Sequence, residues 1–233
     1  MELGPNIRLI PKIRGANSYA VLEEPQVVGR DHVTLIDTGM PGNAGTIVDF
    51  LESIGKSQAG SVTIILTHSD VDHAGSVSEL KEKLEDVKVA IHEADAQRLA
   101  GKEPPKEVRG FARLVLTAAS PFMKLKPVTA DILLKDGQQV NGLTVIHTPG
   151  HTRGSICLYS EKLQAMFVGD ALATNRDGTL SLPRAFMSAD IEEAKNSAKK
   201  IASYEFQILL PGHGPAILSD SSKKVLELVA SLA

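Results

Sequence analysis

Within the stretch Leu66-Thr67-His68-Ser69-Asp70-Val71-Asp72-His73-Ala74-Gly75, four side chains of metal-binding type fall within six positions: His68, Asp70, Asp72 and His73. Two imidazoles and two carboxylates at such spacing can converge on a divalent cation when rigid flanking elements hold them, because each donor then need not be ordered separately. Taken singly, each is an ordinary polar loop residue, and aspartate is common in turns and caps. Four together ask for a different account. The apolar run Val62-Thr63-Ile64-Ile65-Leu66 leads in and a helical pattern follows Gly75, so the segment predicts a strand, a ligand loop and a helix start.

Three further apolar runs deliver residues of the same type. Leu143 to His147 leads into Thr148-Pro149-Gly150-His151-Thr152, where Pro149 and Gly150 force a bend before His151. Gln164 to Val168 leads into Gly169-Asp170, and Phe206 to Leu210 into Pro211-Gly212-His213-Gly214-Pro215, whose glycines let backbone approach a ligand closely. Four strand ends thus present His68, Asp70, Asp72, His73, His151, Asp170 and His213, and seven donors are enough for two metal ions.

The elements that must position them follow from periodicity and turn chemistry. Ile7 to Ile13, Ser18 to Leu22 and Val33 to Ile36 read as a meander running into Asp37-Thr38-Gly39. Ile47, Phe50, Leu51 and Ile54 mark a helix stopped by Gly55, and Val77, Leu80 and Leu84 mark another. Val87 to Ile91 is a strand and His92 to Leu99 a short helix, with His92 read as structural. Asp131 to Leu134 and Leu143 to His147 read as strands around a turn at Asp136-Gly137, and Ser155 to Tyr159 pairs with Gln164 to Val168 as a hairpin. Ser188 or Asp190 caps a helix carrying Ile191, Ala194, Ala198 and Ile201, and the last helix carries Val225, Leu226, Val229 and Leu232. Between about 101 and 130 the pattern changes to a helical insertion with Val108, Phe111, Val115 and Ala119 at helical spacing. It either covers a substrate pocket or packs as an ordinary amphipathic helix. No linker or low-complexity segment divides residues 1–233, which read as one domain.

Composition narrows the function classes. With 42% hydrophobic and 23% charged residues, the chain is ordinary for a globular protein. A net charge of −3 provides no overall basic field for nucleic acid, and no nucleic-acid partner is expected. The lone Cys157 excludes an intramolecular disulfide. No apolar run approaches the roughly 20 residues needed to cross a bilayer. With no basic-then-apolar leader, the expected location is cytoplasmic and no membrane partner is expected. Oligomeric state does not follow from these features.

The order of these motifs resembles the metallo-β-lactamase fold superfamily over essentially the whole chain. The family's His-x-His-x-Asp-His loop matches residues 68 to 73, its later His, Asp and His match His151, Asp170 and His213, and its Asp-Thr-Gly turn matches Asp37-Thr38-Gly39. The departure is Asp70, which stands where the family has its second histidine. The resemblance implies an α/β fold, a four-layer α/β/β/α sandwich with two central mixed sheets and metals between their tops. It assigns His68 and His151 to a first metal, Asp72, His73 and His213 to a second, and Asp170 to a bridging position, with Asp37 supporting the site. Asp70 either replaces the missing imidazole as a ligand, the preferred reading, or only shapes the turn.

The cofactors so implied are two divalent ions, zinc by default, with Fe or Mn admitted by the extra carboxylate. Two such ions bring +4, which Asp70, Asp72, Asp170 and a bridging hydroxide would balance to near neutrality, reducing Lewis acidity. The implied reaction is hydrolysis of a small-molecule ester, thioester or lactone by a metal-bridging hydroxide, with Asp72 and Asp170 as catalytic proton acceptors, so the expected partner is a small-molecule substrate. Superfamily lactonases that place a tyrosine after the bridging aspartate are a poor match, since Ala171-Leu172-Ala173 follows Asp170. Arg153, Asn175, Arg176 and Arg184 are polar neighbours able to meet a carboxylate or phosphate, or simply solvated residues. Alternatives are a mononuclear iron enzyme oxidising sulfur, a phosphodiesterase and, least favoured, a non-catalytic binding module.

Overall fold

A computed structural model describes residues 1–4, 6–22, 32–56, 61–104 and 125–232. The first sheet is built from β1 (Glu2–Gly4), β2 (Ile7–Leu9), β3 (Tyr19–Leu22), β4 (His32–Ile36), β5 (Ser61–Ile65), β6 (Val87–His92) and β7 (Ile132–Leu134), in that spatial order. Pairing is antiparallel from β1 to β4 and parallel from β4 to β7. The chain then forms β8 (Gln139–Val140), β9 (Leu143–His147), β10 (Ile156–Ser160), β11 (Ala165–Gly169), a two-strand ribbon of β12 (Ala173–Thr174) and β13 (Leu180–Ser181), and β14 (Ile208–Pro211). The second sheet runs β14-β11-β10-β9-β8, with only β11 and β14 parallel. The helices described are α1 (Ala44–Ser53), α2 (Val71–Ala74), α3 (Val77–Lys83), α4 (Glu93–Leu99), α5 (Ile191–Ile201) and α6 (Ser221–Ala230).

Side-chain alternation sorts the core into three layers. Val33 and Leu35 of β4 and Val62 and Ile64 of β5 face the helices, packing with Ile47, Leu51, Val77, Leu80 and Leu99. Ile36 and Ile65, pointing the other way, meet Val145, Leu158, Phe167 and Leu210 of the second sheet. From that sheet's far side Ile146, Cys157, Met166, Val168 and Leu209 pack on Ala198, Ile201 and Val225 of α5 and α6. The outcome is helices, sheet, sheet, helices: the four-layer mixed α/β sandwich expected from the sequence. Strands buried on both faces read as continuous apolar runs, which is why they stood out.

Some expectations differ in detail. The strands on either side of the Asp136-Gly137 turn fall in different sheets: β7 ends the first and β9 lies in the second, so this segment is the crossover between sheets. The first strand of the meander stops at Leu9, because Pro11 has no donor to extend a ladder and Lys12 turns to φ 62°. Asp190, rather than Ser188, caps α5 by accepting from the amides of Glu192 and Glu193 at 2.9 and 3.1 Å. Leu226, placed on the apolar stripe of the last helix, is exposed. The helix expected in the 101–130 insertion falls on residues outside those described; the flank at Leu125, Val128 and Ala130 packs against the helix-side core. No helix among the described residues is long and apolar enough to cross a membrane.

Cys157 is fully buried, and that burial pushes its thiol up to about 12. At pH 8 it therefore stays protonated and inaccessible. Folded protein is expected to resist a thiol reagent at pH 8 and to take up one equivalent in denaturant, as read by intact mass.

Candidate metal centre

Each donor is carried by a strand end whose backbone is pinned elsewhere. Just after β4, Asp37 adopts a left-handed conformation at φ 58° and is buried. Its Oδ1 accepts from the Thr67 amide at 2.8 Å, and its Oδ2 accepts from the Thr67 hydroxyl and from His73 Nδ1, both at 2.7 Å. The Thr67 hydroxyl, having donated to Asp37, accepts from His68 Nδ1 at 3.1 Å. One carboxylate thus orients two imidazoles so that their Nε2 atoms are left for the cleft.

Asp72 and His73 were expected in a loop before a helix starting at Gly75; they lie instead on the helical turn α2. Asp70 precedes that turn in extended conformation, its carbonyl accepting from the His73 and Ala74 amides at 3.0 and 2.9 Å. Its side chain makes no cap bond and turns to the cleft, with Oδ2 3.1 Å from His151 Nε2 and 3.7 Å from His68 Nε2.

The remaining donors arrive from the second sheet. The Pro149-Gly150 bend delivers His151, whose carbonyl accepts from the Ala189 amide at 3.1 Å. Asp170 follows β11, and the loop after β14 brings His213 beside it. That loop is tied to the first sheet by Tyr19, whose hydroxyl donates to the Pro211 carbonyl at 2.7 Å. Asn17 Nδ2 adds bonds to the carbonyls of Pro211 and Gly214 at 3.0 and 2.9 Å.

All seven expected donors come together. Asp170 lies between the two sides: Oδ1 is 3.3 Å from His73 Nε2, while Oδ2 is 3.4 Å from His151 Nε2 and 3.7 Å from His213 Nε2. Asp72 Oδ2 is 3.2 Å from His213 Nε2. His68 and His73 are fully buried, whereas the His213 side chain is 42% exposed and marks the open side of the cleft.

The electrostatics follow from burial and proximity. Burial holds His68 well below the usual histidine value. It opposes charge on His73 too, but Asp170 and Asp37 together outweigh it and raise that imidazole well above its usual value. For Asp72, burial is outweighed by the His213 hydrogen bond and the charges of His73 and His68, which bring it to about 2. Asp170 is likewise held well below the carboxylate range, against burial, chiefly by His73.

The arrangement suits a cation. His68 Nε2 is buried without a hydrogen-bond partner, and leaving such an atom unmet costs about 1–3 kcal/mol, while His73 Nε2 and Asp170 Oδ1 are buried facing each other at 3.3 Å. The donors fall into the groups His68, Asp70, His151 and Asp72, His73, His213, with His68, His73, Asp170 between them; in each, the donor atoms lie within 4.8 Å of one another. Imidazole and carboxylate oxygen together suit zinc, iron or manganese.

A profile of the Metallo-beta-lactamase superfamily matches residues 14–213. The chain belongs to that superfamily. It is 30% identical over 230 residues to an uncharacterized protein, YobT, of Bacillus subtilis, covering 93% of this chain and 91% of the relative. It is 33% identical over 197 residues to the probable metallo-hydrolase YflN of the same organism, covering 77% and 74% of the two chains. To the human acyl-coenzyme A thioesterase MBLAC2 it is 28% identical over 208 residues, covering 80% and 71%. Among solved structures, a metallo-beta-lactamase family protein from Thermus thermophilus superposes with a TM-score of 0.70 at 24% identity, covering 99% of this chain and 80% of that one. The superfamily member described here is a metal-dependent hydrolase.

Of the other polar residues, Arg184 lies 6.0 Å from the ring centre of exposed Phe186, and Arg153, Asn175 and Arg176 are exposed. Sequence reasoning overlooked Asp95 of α4, a buried carboxylate beside the cleft loops, and gave Tyr19 no part in the site. The available signal for Asp95 was an aspartate on the same helix face as Leu99.

Gly212 shows how little room surrounds the donors. A Cβ there would lie 2.6 Å from both Asp170 Oδ1 and His73 Cε1. Gly212→Ala is expected to lower metal content measured by elemental analysis, with far-UV circular dichroism unchanged; full metal loading would contradict this crowding.

Proposed function

We propose that the protein hydrolyses an acyl ester-type bond, a thioester foremost, with two divalent ions bound by the seven donors. His68, Asp70 and His151 would hold one ion, and Asp72, His73 and His213 the other, with Asp170 between them. The observation that carries this reading is the position of Asp170 between the groups, with Oδ1 3.3 Å from His73 Nε2 of one and Oδ2 3.4 Å from His151 Nε2 of the other and 3.7 Å from His213 Nε2. The approach of Asp70 Oδ2 to His151 Nε2, at 3.1 Å, supports direct ligation by Asp70 in place of the family's histidine. Zinc is the default ion, with iron or manganese admitted by the added carboxylate.

When bound, such ions lower the pKa of a coordinated water and polarise an acyl carbonyl. The chain's own residues then have separable tasks. Asp37 and Thr67 fix the ring orientation of His68 and His73, so both present Nε2 to the cleft. Asp72, beside His213 on the open side, is the side chain placed to act as a transient proton acceptor. The substrate class draws on the named acyl-coenzyme A thioesterases, which are 27–28% identical over 80% of this chain. An ester or lactone presents the same carbonyl and is the second choice.

Elemental analysis coupled to a panel of acyl-coenzyme A, aryl ester, lactone and phosphodiester substrates tests the proposal. About two equivalents of metal, thioester turnover, loss of activity with chelator and recovery with zinc or manganese are expected. Phosphodiester cleavage without acyl hydrolysis, or one iron with oxygen consumption on a thiol substrate, would overturn it. Asp70→His replaces an anionic donor by a neutral one and makes the centre more positive. The acid limb of its pH–rate profile is therefore expected at lower pH, with greater preference for zinc. Identical profiles in fully metallated wild type and variant would exclude ligation by Asp70.

A further inference from the structure

The two donor groups are not held alike. Asp37 and Thr67 serve His73 directly and His68 through the Thr67 hydroxyl, and Tyr19 and Asn17 serve the His213 loop, while the loops that carry Asp70 and His151 depend on a residue outside the donor set. That residue is Asp95, fully buried on α4. Its Oδ2 accepts from both the amide and the hydroxyl of Ser69 at 2.9 Å, and Ser69 stands between His68 and Asp70. Its Oδ1 accepts from the Gly154 amide at 2.9 Å, closing the turn that begins at His151. A Cβ on Gly154 would lie 2.7 Å from the Asp95 side chain, so the loop approaches this carboxylate as closely as only glycine permits.

The helix carrying Asp95 is itself fixed to both sheets. His92, at the end of β6, accepts from the Ala94 amide at 3.3 Å and caps α4. The His92 ring stacks on His147 of β9 with centres 4.0 Å apart and planes 9° apart. Arg98, one turn along α4, places Nη1 3.7 Å from Asp95 Oδ1 and offsets its charge. Asp95 therefore links one loop from each sheet, and its three bonds to N–H and O–H donors are of the charge-assisted kind.

We infer that Asp95 is a positioning residue that sets the His68, Asp70, His151 group selectively, whereas Asp37 bears on both groups, through His73 and through His68. This rests on the two-ion reading above. Among the described residues, the hydrogen bonds of Asp95 go to Ser69 and Gly154. An asparagine has the same shape but one acceptor oxygen. Whichever way it turns, its NH2 faces the Ser69 or the Gly154 amide, so one loop is released.

The test is a competitive chelator titration of zinc and of cobalt on wild type, Asp95→Asn and Asp37→Asn, with visible spectra of the cobalt forms and thermal unfolding of the metal-free forms. Wild type is expected to bind two equivalents. Asp95→Asn should keep one at wild-type affinity and lose about 10- to 100-fold on the other, with one set of cobalt bands changed. Asp37→Asn, which acts on His73 directly and on His68 through Thr67, should weaken both ions. Equal weakening of both ions in Asp95→Asn, or reduced thermal stability with both affinities intact, would overturn the inference. If Asp95→Asn does not fold, Ser69→Ala keeps the carboxylate and the backbone amide and removes only the hydroxyl donor. It should show a smaller loss confined to one ion, and a loss shared by both or absent from both overturns the inference equally. A wild type with a single equivalent overturns the two-ion reading and the selectivity with it, and that outcome is visible before any variant is compared.

Discussion

A charged carboxylate taken out of water is tolerated only where donors surround it, and Asp37 meets this condition entirely from residues of the cleft. The Thr67 amide, the Thr67 hydroxyl and His73 Nδ1 all donate to it. The bonds join the end of β4 to Thr67, two residues past β5, and to α2, so the parallel pairing of β4 with β5 is continued past the sheet by polar contacts. Because the Thr67 hydroxyl passes the interaction to His68, two buried imidazoles depend on this one anion. Thr38 reinforces the link, its amide and hydroxyl donating to the His73 carbonyl at 2.7 and 3.0 Å.

The centre also sets two demands against each other. Apolar packing between the sheets, through Ile36, Ile65, Val145, Phe167 and Leu210, brings the strand ends close. That closeness buries His68 Nε2 without a hydrogen-bond partner and crowds His73 Nε2 against Asp170 Oδ1 at 3.3 Å. Such a cleft is destabilising by itself and becomes favourable once a cation takes up the lone pairs, which links metal binding to fold stability. The glycines at 169 and 212 permit the approach: a Cβ on Gly169 would lie 2.7 Å from the Thr67 side chain, and one on Gly212 would strike Asp170 and His73.

How much of this could be read from the sequence depends on how local each signal is. The seven donors were legible because each sits a few residues past an apolar run, and β5, β9 and β11 were legible because both their faces are buried. The sheet-to-sheet crossover between β7 and β9 was not, since apolar runs separated by a turn look alike whether or not they pair. The four-residue helix α2 was hidden inside the motif, where ligand chemistry outweighed helical spacing in reading Asp72 and His73. Asp95 was missed for a different reason. Its partners are a backbone amide and a hydroxyl 26 positions before it and an amide 59 positions after it, and no local pattern encodes either.

The same distinction bears on Asp70. Its backbone role is that of the residue before α2, satisfied by its carbonyl alone, so the side chain makes no cap bond and its direction is set by the turn. From there its carboxylate comes within 3.1 Å of His151 and 3.7 Å of His68, so the shorter side chain already reaches that donor group. What an aspartate changes at this position is therefore chiefly charge. The anchors at Asp37 and Asp95 orient the neighbouring loops through Thr67, His73, Ser69 and Gly154 rather than through the Asp70 side chain. In the proposed two-ion centre, residue 70 is thus a place where metal preference and water acidity can change while the surrounding support is retained, a separation that follows from fixing loop geometry through residues adjacent to the donors.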